Sequence, residues 1–369
     1  MRILVACGSS GGHIFPALGF LDILKDKFRS LSVGRDKHRD IDILLILPKR
    51  SIINQIETLG YKVKYISISP IKLNIDFKNI VAISRFFKGI FESIFILLSF
   101  KPDVVIGFGS LVCIPIVILA WAFRIKTLIH EQNVIPGRAN RFLAKFTDKI
   151  AISFEETKNY LKSYKRKIIF TGNPLRKGLV KIEKNRALDF FGLGYNKFTI
   201  LVMGGSIGSH SINLGFLNAI SMMSDRFKLQ IIHLTGLGDC DLLKDRYKDL
   251  NINIKLFSFL KAMQYAYSAS DLVICRAGAT TIAEIISFGL PAIIVPYPFA
   301  YEHQLNNAKV LENNGCAIII KDNELDTDIL RQTIEDLTNN FGKIQKMRSR
   351  YGNIPRPATN DLLVDEVFK

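Results

Sequence analysis

Phe198-Thr199-Ile200-Leu201-Val202-Met203 runs into Gly204-Gly205-Ser206-Ile207-Gly208-Ser209, and Arg2-Ile3-Leu4-Val5-Ala6-Cys7 runs in the same way into Gly8-Ser9-Ser10-Gly11-Gly12-His13. Short apolar runs rich in β-branched residues read as parallel strands buried on both faces. Glycines directly after such a strand permit a tight turn and bring backbone N–H groups close to a ligand at a helix N-terminus. The two glycine loops begin 196 residues apart. That spacing predicts two doubly wound α/β domains facing a cleft, where a nucleotide-linked substrate would meet a second reactant.

Outward from these loops, apolar runs predict strands at 2–7, 43–48, 61–68, 103–108, 126–131, 149–153 and 167–171 in the first half. In the second half they predict strands at 198–203, 229–235, 252–257, 272–276, 291–296 and 316–320. Helical patterns fill most of the gaps, among them 15–28, 51–59, 79–98 and 138–146, then 209–224, 239–250, 261–268, 280–288, 302–314 and 326–340. Such alternation gives parallel sheets built from right-handed βαβ units. The expected division is a domain over 1–172, a second over 173–340, and a tail over 341–369 that packs back towards the first. The linker is read as the charge-dense stretch between Asn173-Pro174 and Asn196.

The chain of 369 residues is 48% hydrophobic and 22% charged, a globular composition that suits two cores. Five scattered cysteines without a CxxC pair indicate reduced, buried thiols in a cytosolic protein, not disulfides or a zinc site. With strand one starting at residue 2, no leader segment is expected. The longest apolar runs, 94–100 and 111–123, fall short of the roughly 20 residues that span a bilayer. Residues 1–172 hold 27 Lys and Arg against 13 Asp and Glu, while 173–369 hold 23 against 20. A genome-wide bias towards lysine would act on both halves, so the asymmetry points to a basic surface on the first, suited to an anionic membrane, substrate or nucleic acid.

Four clusters carry candidate chemistry. Gly204–Ser209 can hold a diphosphate on unpaired N–H groups without a metal, with Ser206 adding a hydroxyl; the bland alternative is a tight turn with Ser209 as N-cap. His13 stands where its loop becomes helix and could take a proton from an attacking hydroxyl, or simply cap or pack at the turn. His130-Glu131-Gln132-Asn133 follows a strand at the ligand edge of the sheet, where Glu131 could orient or accept a proton and Asn133 could bind a sugar hydroxyl or amide. In Cys275–Glu284, Thr281 and Glu284 match a capping box, and Glu284 is equally placed to accept ribose hydroxyls. A fifth stretch, 69–100, sets Lys72, Lys78, Arg85 and Lys88 beside Phe86, Phe87, Phe91 and Phe95, either a membrane-surface helix or a core helix with a basic edge. The DxD spacings at Asp40–Asp42 and Asp326–Asp328 precede a strand and open a late helix, so they read as chance.

Together these motifs resemble the MurG family, which adds N-acetylglucosamine to lipid I in peptidoglycan synthesis. The resemblance rests on GSSGGHIFPAL, KPDVVIGFGS, HEQNVIPGRANRFLA, FTGNPLR, LVMGGSIGS, CRAGATTIAEI and EHQLNNA, in that order along nearly the whole chain. It implies a GT-B fold and an inverting hexosyl transfer with no cofactor and no metal. The implied donor is UDP-N-acetylglucosamine, and the acceptor is undecaprenyl-diphosphate-linked N-acetylmuramyl pentapeptide, attacked through its C4 hydroxyl. By matching positions, the resemblance assigns Ser10, Gly11, Gly12 and Asn133 to the donor from the N-terminal, acceptor- and membrane-facing domain. It assigns Arg176, Ser206, Leu260, the run Ala279, Thr280, Thr281, Ile282, Ala283 and Glu284, and Gln304 to UDP from the C-terminal domain. Arg176 and Ser206 would serve the diphosphate, the Leu260 backbone the uracil, and Glu284 the ribose. His13 or Glu131 would be the base, with His13 favoured. The implied location is the cytoplasmic face of the bacterial inner membrane, held peripherally, with an anionic membrane surface and other cell-wall synthesis proteins as partners and no nucleic acid. Where the family reads GGTGGH, GFGGY and GGSQGA, this chain has Ser9, Leu111 and Ile207 at altered positions.

Competing readings have distinct signatures. Another GT-B enzyme, a UDP-sugar epimerase or a glycolipid synthase, would share both loops, but an epimerase needs no apolar basic face. A nucleic-acid-binding protein would need an aromatic–basic RNA motif, and a dehydrogenase the GxGxxG fingerprint with an acidic residue after strand two. The chain has neither.

Overall fold

Strands of three to seven residues, most of them apolar and joined by helices, form two sheets whose pairings are all parallel among the described residues. The computed structural model describes residues 1–32, 41–49, 60–68, 77–205, 207–299, 302–359 and 361–369. The expected helix at 51–59, the segment 69–76 and the candidate Ser206 lie outside them. Two units result, Met1–Lys177 with Arg356–Lys369, and Gly178–Pro355.

Unit 1 contains β1 (Arg2–Ala6), α1 (Gly11–Ser32), β2 (Asp42–Pro48), β3 (Lys62–Ile66), α2 (Phe77–Phe100), β4 (Val104–Gly107), α3 (Cys113–Ala122), β5 (Lys126–Glu131), α4 (Arg138–Leu143), β6 (Lys149–Ile152) and β7 (Ile168–Phe170). Its sheet order is β3-β2-β1-β4-β5-β6-β7. Unit 2 contains α5 (Lys184–Phe191), β8 (Phe198–Met203), α6 (His210–Met222), β9 (Leu229–Leu234), α7 (Cys240–Tyr247), β10 (Asn253–Phe257), α8 (Met263–Ala269), β11 (Leu272–Cys275), α9 (Ala279–Phe288), β12 (Ala292–Ile294), α10 (His303–Asn313), β13 (Ala317–Ile319), α11 (Thr327–Asn339) and α12 (Phe341–Ser349). Its order is β10-β9-β8-β11-β12-β13. A last helix, α13 (Leu362–Phe368), belongs to unit 1.

In both sheets the chain reverses its direction of winding beside the first strand, between β1 and β4 and between β8 and β11. Connections leave such a point in opposite directions and open a crevice at the strands' carboxyl ends, which is where open α/β sheets bind ligands. The loops after β1, β4, β8 and β11 therefore occupy the ligand edge of each unit.

Two stretches without an assignment in the sequence are helical. The apolar run 111–123 contains α3 because Pro115 is its third residue, where a missing N–H costs no helical hydrogen bond. The charge-dense linker contains α5, started by the Glu183 carboxylate accepting from Asn185 N at 3.0 Å and Arg186 N at 2.9 Å, and ended by Gly192 at φ 59°. The tail is two segments. Its first part forms α12 within unit 2, while 356–369 returns to unit 1. There Leu363, Val364 and Val367 join the core with Phe20, Leu21 and Leu24 of α1, and Lys27 pairs with Asp365.

Candidate active site

In unit 1, the loops after β1 and β4 pack without space between them. A Cβ on Gly8 would lie 2.5 Å from the Ser110 Cβ and 2.9 Å from the His13 ring. Helix α1 opens at Gly11, and the Ser10 carbonyl accepts from the N–H groups of His13 and Ile14 at 3.0 Å each. Ser10 and Gly12 are exposed, and nothing lies within 4 Å of where a Gly12 Cβ would stand. His13 is partly buried at this opening, and its Nδ1 is 3.2 Å from Gln132 Oε1. Burial pushes the His13 pKa below its ordinary value, opposed by the Glu131 charge and by hydrogen bonds to Gln132 and Phe108.

Glu131, 1% exposed, accepts four hydrogen bonds: from Asn133 N (2.9 Å), Asn133 Nδ2 (3.2 Å), Gly137 N (3.0 Å) and Asn140 Nδ2 (2.8 Å). Both its oxygens thus organise the turn that carries Asn133. Arg176, expected among the C-terminal-domain residues, clusters with unit 1, its guanidinium 4.6 Å above the Phe15 ring of α1.

In unit 2, the glycine loop after β8 is interlocked with the loop after β9. A Cβ on Gly208 would stand 2.1 Å from the Thr235 carbonyl oxygen, and one on Gly236 would stand 2.2 Å from the Ile207 carbonyl oxygen. Asn213 braces this pair, donating to Thr235 O at 2.8 Å and Asp239 Oδ2 at 2.7 Å. Behind it, His233 bonds Asn213 Oδ1 and the Tyr247 hydroxyl. The N-cap position of α6 is Ser209, but its side chain makes no cap bond.

Helix α9 begins at Ala279 with extended Gly278 as N-cap, so Thr281 is its third residue and the capping-box reading fails. Glu284 instead receives the Tyr267 hydroxyl at 2.7 Å. Thr280 Oγ1 is a buried oxygen without a hydrogen-bond partner in the first turn of α9. Ala279, Ile282 and Leu260 are buried and Thr281 and Ala283 partly buried, so Ile282 and Leu260 have mainly backbone to offer a ligand. Gln304 Oε1 accepts from Ala277 N at 3.1 Å and Tyr297 N at 2.9 Å, tying together the loops after β11 and β12.

Sequence reasoning missed Gln132 as the partner of His13, His130 behind it as the partner of Gln132, and Arg276, which bridges Val295 O, Pro296 O, Asp322 and Ser211. Their positions after strands were the only signal. Among the described residues, no group of three or more His, Cys, Asp and Glu side chains is arranged to hold a metal ion.

Two buried histidines predict acid sensitivity. Burial pushes His130 down to about 4 and His233 down to about 3. Both folded values lie below the unfolded value of about 6.5, so their stabilising contribution is intact above pH 6.5 and lost as pH falls towards 4 and 3. For His130 alone the shift corresponds to about 3 kcal/mol at most. The urea midpoint should hold from pH 8 to 7 and drop steeply below 6.5, with a shallower drop in His233→Gln; equal slopes in the two proteins would contradict the assignment.

Residues 3–152 match the glycosyltransferase family 28 N-terminal domain, and residues 199–356 match the glycosyltransferase family 28 C-terminal domain. A UDP-N-acetylglucosamine–N-acetylmuramyl-(pentapeptide) pyrophosphoryl-undecaprenol N-acetylglucosamine transferase of Listeria welshimeri is 37% identical over 100% of this chain and 99% of its own length. A transferase of the same name from Desulforamulus reducens is 35% identical, over 98% of this chain and 97% of its own. The crystal structure of Acinetobacter baumannii MurG is similar with a TM-score of 0.77 at 24% identity, covering 100% and 99% of the two chains. The UDP-GlcNAc 2-epimerase of Neisseria meningitidis bound to UDP-GlcNAc reaches a TM-score of 0.67 at 17% identity over 100% of both, a likeness of fold alone. The two parallel-sheet units have the GT-B fold. With full-length identity above a third to transferases of one name, and both family 28 domains in order, the chain belongs to the MurG family of glycosyltransferases.

Proposed function

We propose that this chain transfers N-acetylglucosamine from UDP-N-acetylglucosamine to the C4 hydroxyl of the N-acetylmuramyl unit of lipid I, forming lipid II for peptidoglycan synthesis. The observation that carries this is the end-to-end identity with transferases of that name. In unit 2, Glu284, held by Tyr267, takes the ribose, the Leu260 backbone the uracil, and Ser206 with the loop after β8 the diphosphate. Thr280 offers an unpartnered hydroxyl at the N-terminal turn of α9, where helical N–H groups also favour anions. Gln304 holds the loops that frame this turn. From unit 1, Asn133, Ser10, Gly11 and Gly12 serve the sugar, and Arg176 the leaving diphosphate. His13 takes the C4 hydroxyl proton as that oxygen bonds to the anomeric carbon and the bond to UDP breaks, with inversion. Charge on the diphosphate is met by N–H groups and arginine, so no metal is required.

The test is transfer of labelled N-acetylglucosamine to purified lipid I, with and without EDTA. A β-linked disaccharide-lipid formed equally in both supports the reading. UDP binding with no sugar transfer would leave the fold and overturn the function.

Attachment to the cytoplasmic face of the inner membrane is assigned to α2. Ile83, Phe87, Phe91, Phe95 and Leu98 form one exposed stripe at three- to four-residue spacing, with Phe91 at 71% and Phe95 at 69% exposure. Exposed Lys88 and partly exposed Arg85 lie on the same helix. No helix among the described residues is long and apolar enough to cross a membrane. Binding to phosphatidylglycerol vesicles should fall at least tenfold in a Phe91→Ser, Phe95→Ser double variant, since each ring withdrawn is worth about 1.5–3 kcal/mol. Unchanged co-sedimentation would place the membrane contact elsewhere.

A further inference from the structure

The His13 base assigned above requires one ring nitrogen to carry a lone pair towards the acceptor, and the structure contains a device that selects which. We propose that Gln132 is a positioning residue that locks the His13 imidazole in the Nδ1–H tautomer, reserving Nε2 as the proton acceptor.

The lock follows from the orientation of one buried amide. Gln132 is 1% exposed. Its Nε2 donates to the carbonyls of Phe108 and His130, each at 3.2 Å. Turning the amide over would set Oε1 against both carbonyl oxygens, which donate nothing, so the orientation is fixed. Oε1 is thereby presented to His13 Nδ1 at 3.2 Å. An amide oxygen only accepts, so the ring must donate from Nδ1 and leave the lone pair on Nε2. Nδ1 and Cε1 of the ring also lie against Gly109, 3.1 and 3.0 Å from where a Cβ there would stand. A side chain at 109 would therefore disturb the pairing.

The same directionality runs one step further back. His130 Nε2 donates to Gly172 O at 3.0 Å, which leaves its Nδ1 unprotonated and 3.1 Å from Gln132 Nε2, whose two hydrogens are shared among this nitrogen and the two carbonyls. Burial keeps His130 neutral, with its pKa pushed down to about 4. A protonated His130 would turn an N–H towards the Gln132 donor.

An amide orients the base without adding a formal charge beside it. The titratable groups around His13 are Glu131 and His130 from β5, with the thiols Cys7 after β1 and Cys113 of α3. Burial raises the pKa of both thiols and keeps them uncharged. Among these groups it is the Glu131 charge that acts on the ring, and it raises the pKa against burial.

The proposal rests on His13 as base, so its test separates the two. In full-length protein carrying 15N-histidine, the His13 signals at pH 8 should report an Nδ1–H ring, and Gln132→Leu should convert it to a tautomer mixture. In turnover, Gln132→Leu should lower kcat roughly 10- to 100-fold with the KM for UDP-N-acetylglucosamine within twofold. Gln132→Glu, nearly isosteric, keeps an acceptor at Nδ1 but adds charge, so it should retain the tautomer and move the acid limb of the kcat profile up by about one pH unit or more. This variant carries the test if Gln132→Leu fails to fold. An Nε2–H ring in the unaltered protein overturns the lock, as does an unmoved acid limb in Gln132→Glu. An Nδ1–H ring combined with full activity in His13→Ala would leave the lock standing and remove the base.

Discussion

Replacing His13 with alanine is expected to lower kcat by roughly 10²- to 10⁴-fold, the usual contribution of a positioned general base. UDP affinity should change only a few-fold, because the groups assigned to uracil and ribose sit in unit 2 and depend on Tyr267 and the loops around α9. The split matters more than the size of the loss. Turnover and donor affinity falling together would mark His13 as a binding or structural residue. The pH profile adds a second check with a defined sign. Burial lowers the His13 pKa, so the ring is neutral and competent around pH 7, and the rate should fall only below the ordinary histidine value of about 6.5. An acid limb above 7 would mean that the Glu131 charge outweighs desolvation at this ring.

Gly208→Ala should be among the most damaging single-methyl changes in unit 2. The residue stands at φ 89°, in the left-handed region. The added methyl would lie 2.1 Å from the Thr235 carbonyl oxygen and 3.0 Å from the Gly236 Cα. Both are backbone atoms of the loop after β9 and cannot swing aside as a side chain would. Strain and overpacking together should cost roughly 2–5 kcal/mol, a large part of the about 5–15 kcal/mol that holds a domain. The variant should melt well below the parent protein and bind UDP at least tenfold more weakly, because the displaced loop is the one assigned to the diphosphate. Gly238→Ala is the control: nothing lies within 4 Å of a Cβ there. If the two behave alike, the interlock does not hold the loop in place.

The fold was legible because its central strands are buried on both faces. Runs such as Ile200–Val202 and Val104–Ile106 are fully buried, and a strand of that kind has no polar alternation to confuse with a helix. Pattern reading failed where a local detail outranked composition. Pro115 interrupts the apolar run 111–123 but occupies a first-turn position of α3, and Glu183 turned a charged linker into a helix by capping it. The capping-box reading of Thr281 and Glu284 failed because α9 is capped at Gly278, three residues earlier than that box requires. Loop residues such as His13, Glu131 and Asn133 could be nominated from their place after a strand. Their partners could not. Gln132 and His13 are 119 residues apart, and which end of an amide faces a ring depends on carbonyls that only the folded chain assembles.

The return of residues 356–369 to unit 1 has a consequence for synthesis on the ribosome. Unit 2 is written as a single uninterrupted stretch, 178–355, inside the sequence of unit 1. Its core can close once that stretch has emerged. Unit 1 supplies its seven strands first, yet Phe20, Leu21 and Leu24 of α1 lack their Leu363, Val364 and Val367 neighbours until residues 362–368 arrive. During the translation of about half the chain, an apolar strip of α1 is therefore open to water or to a chaperone. The unit made first is the one completed last.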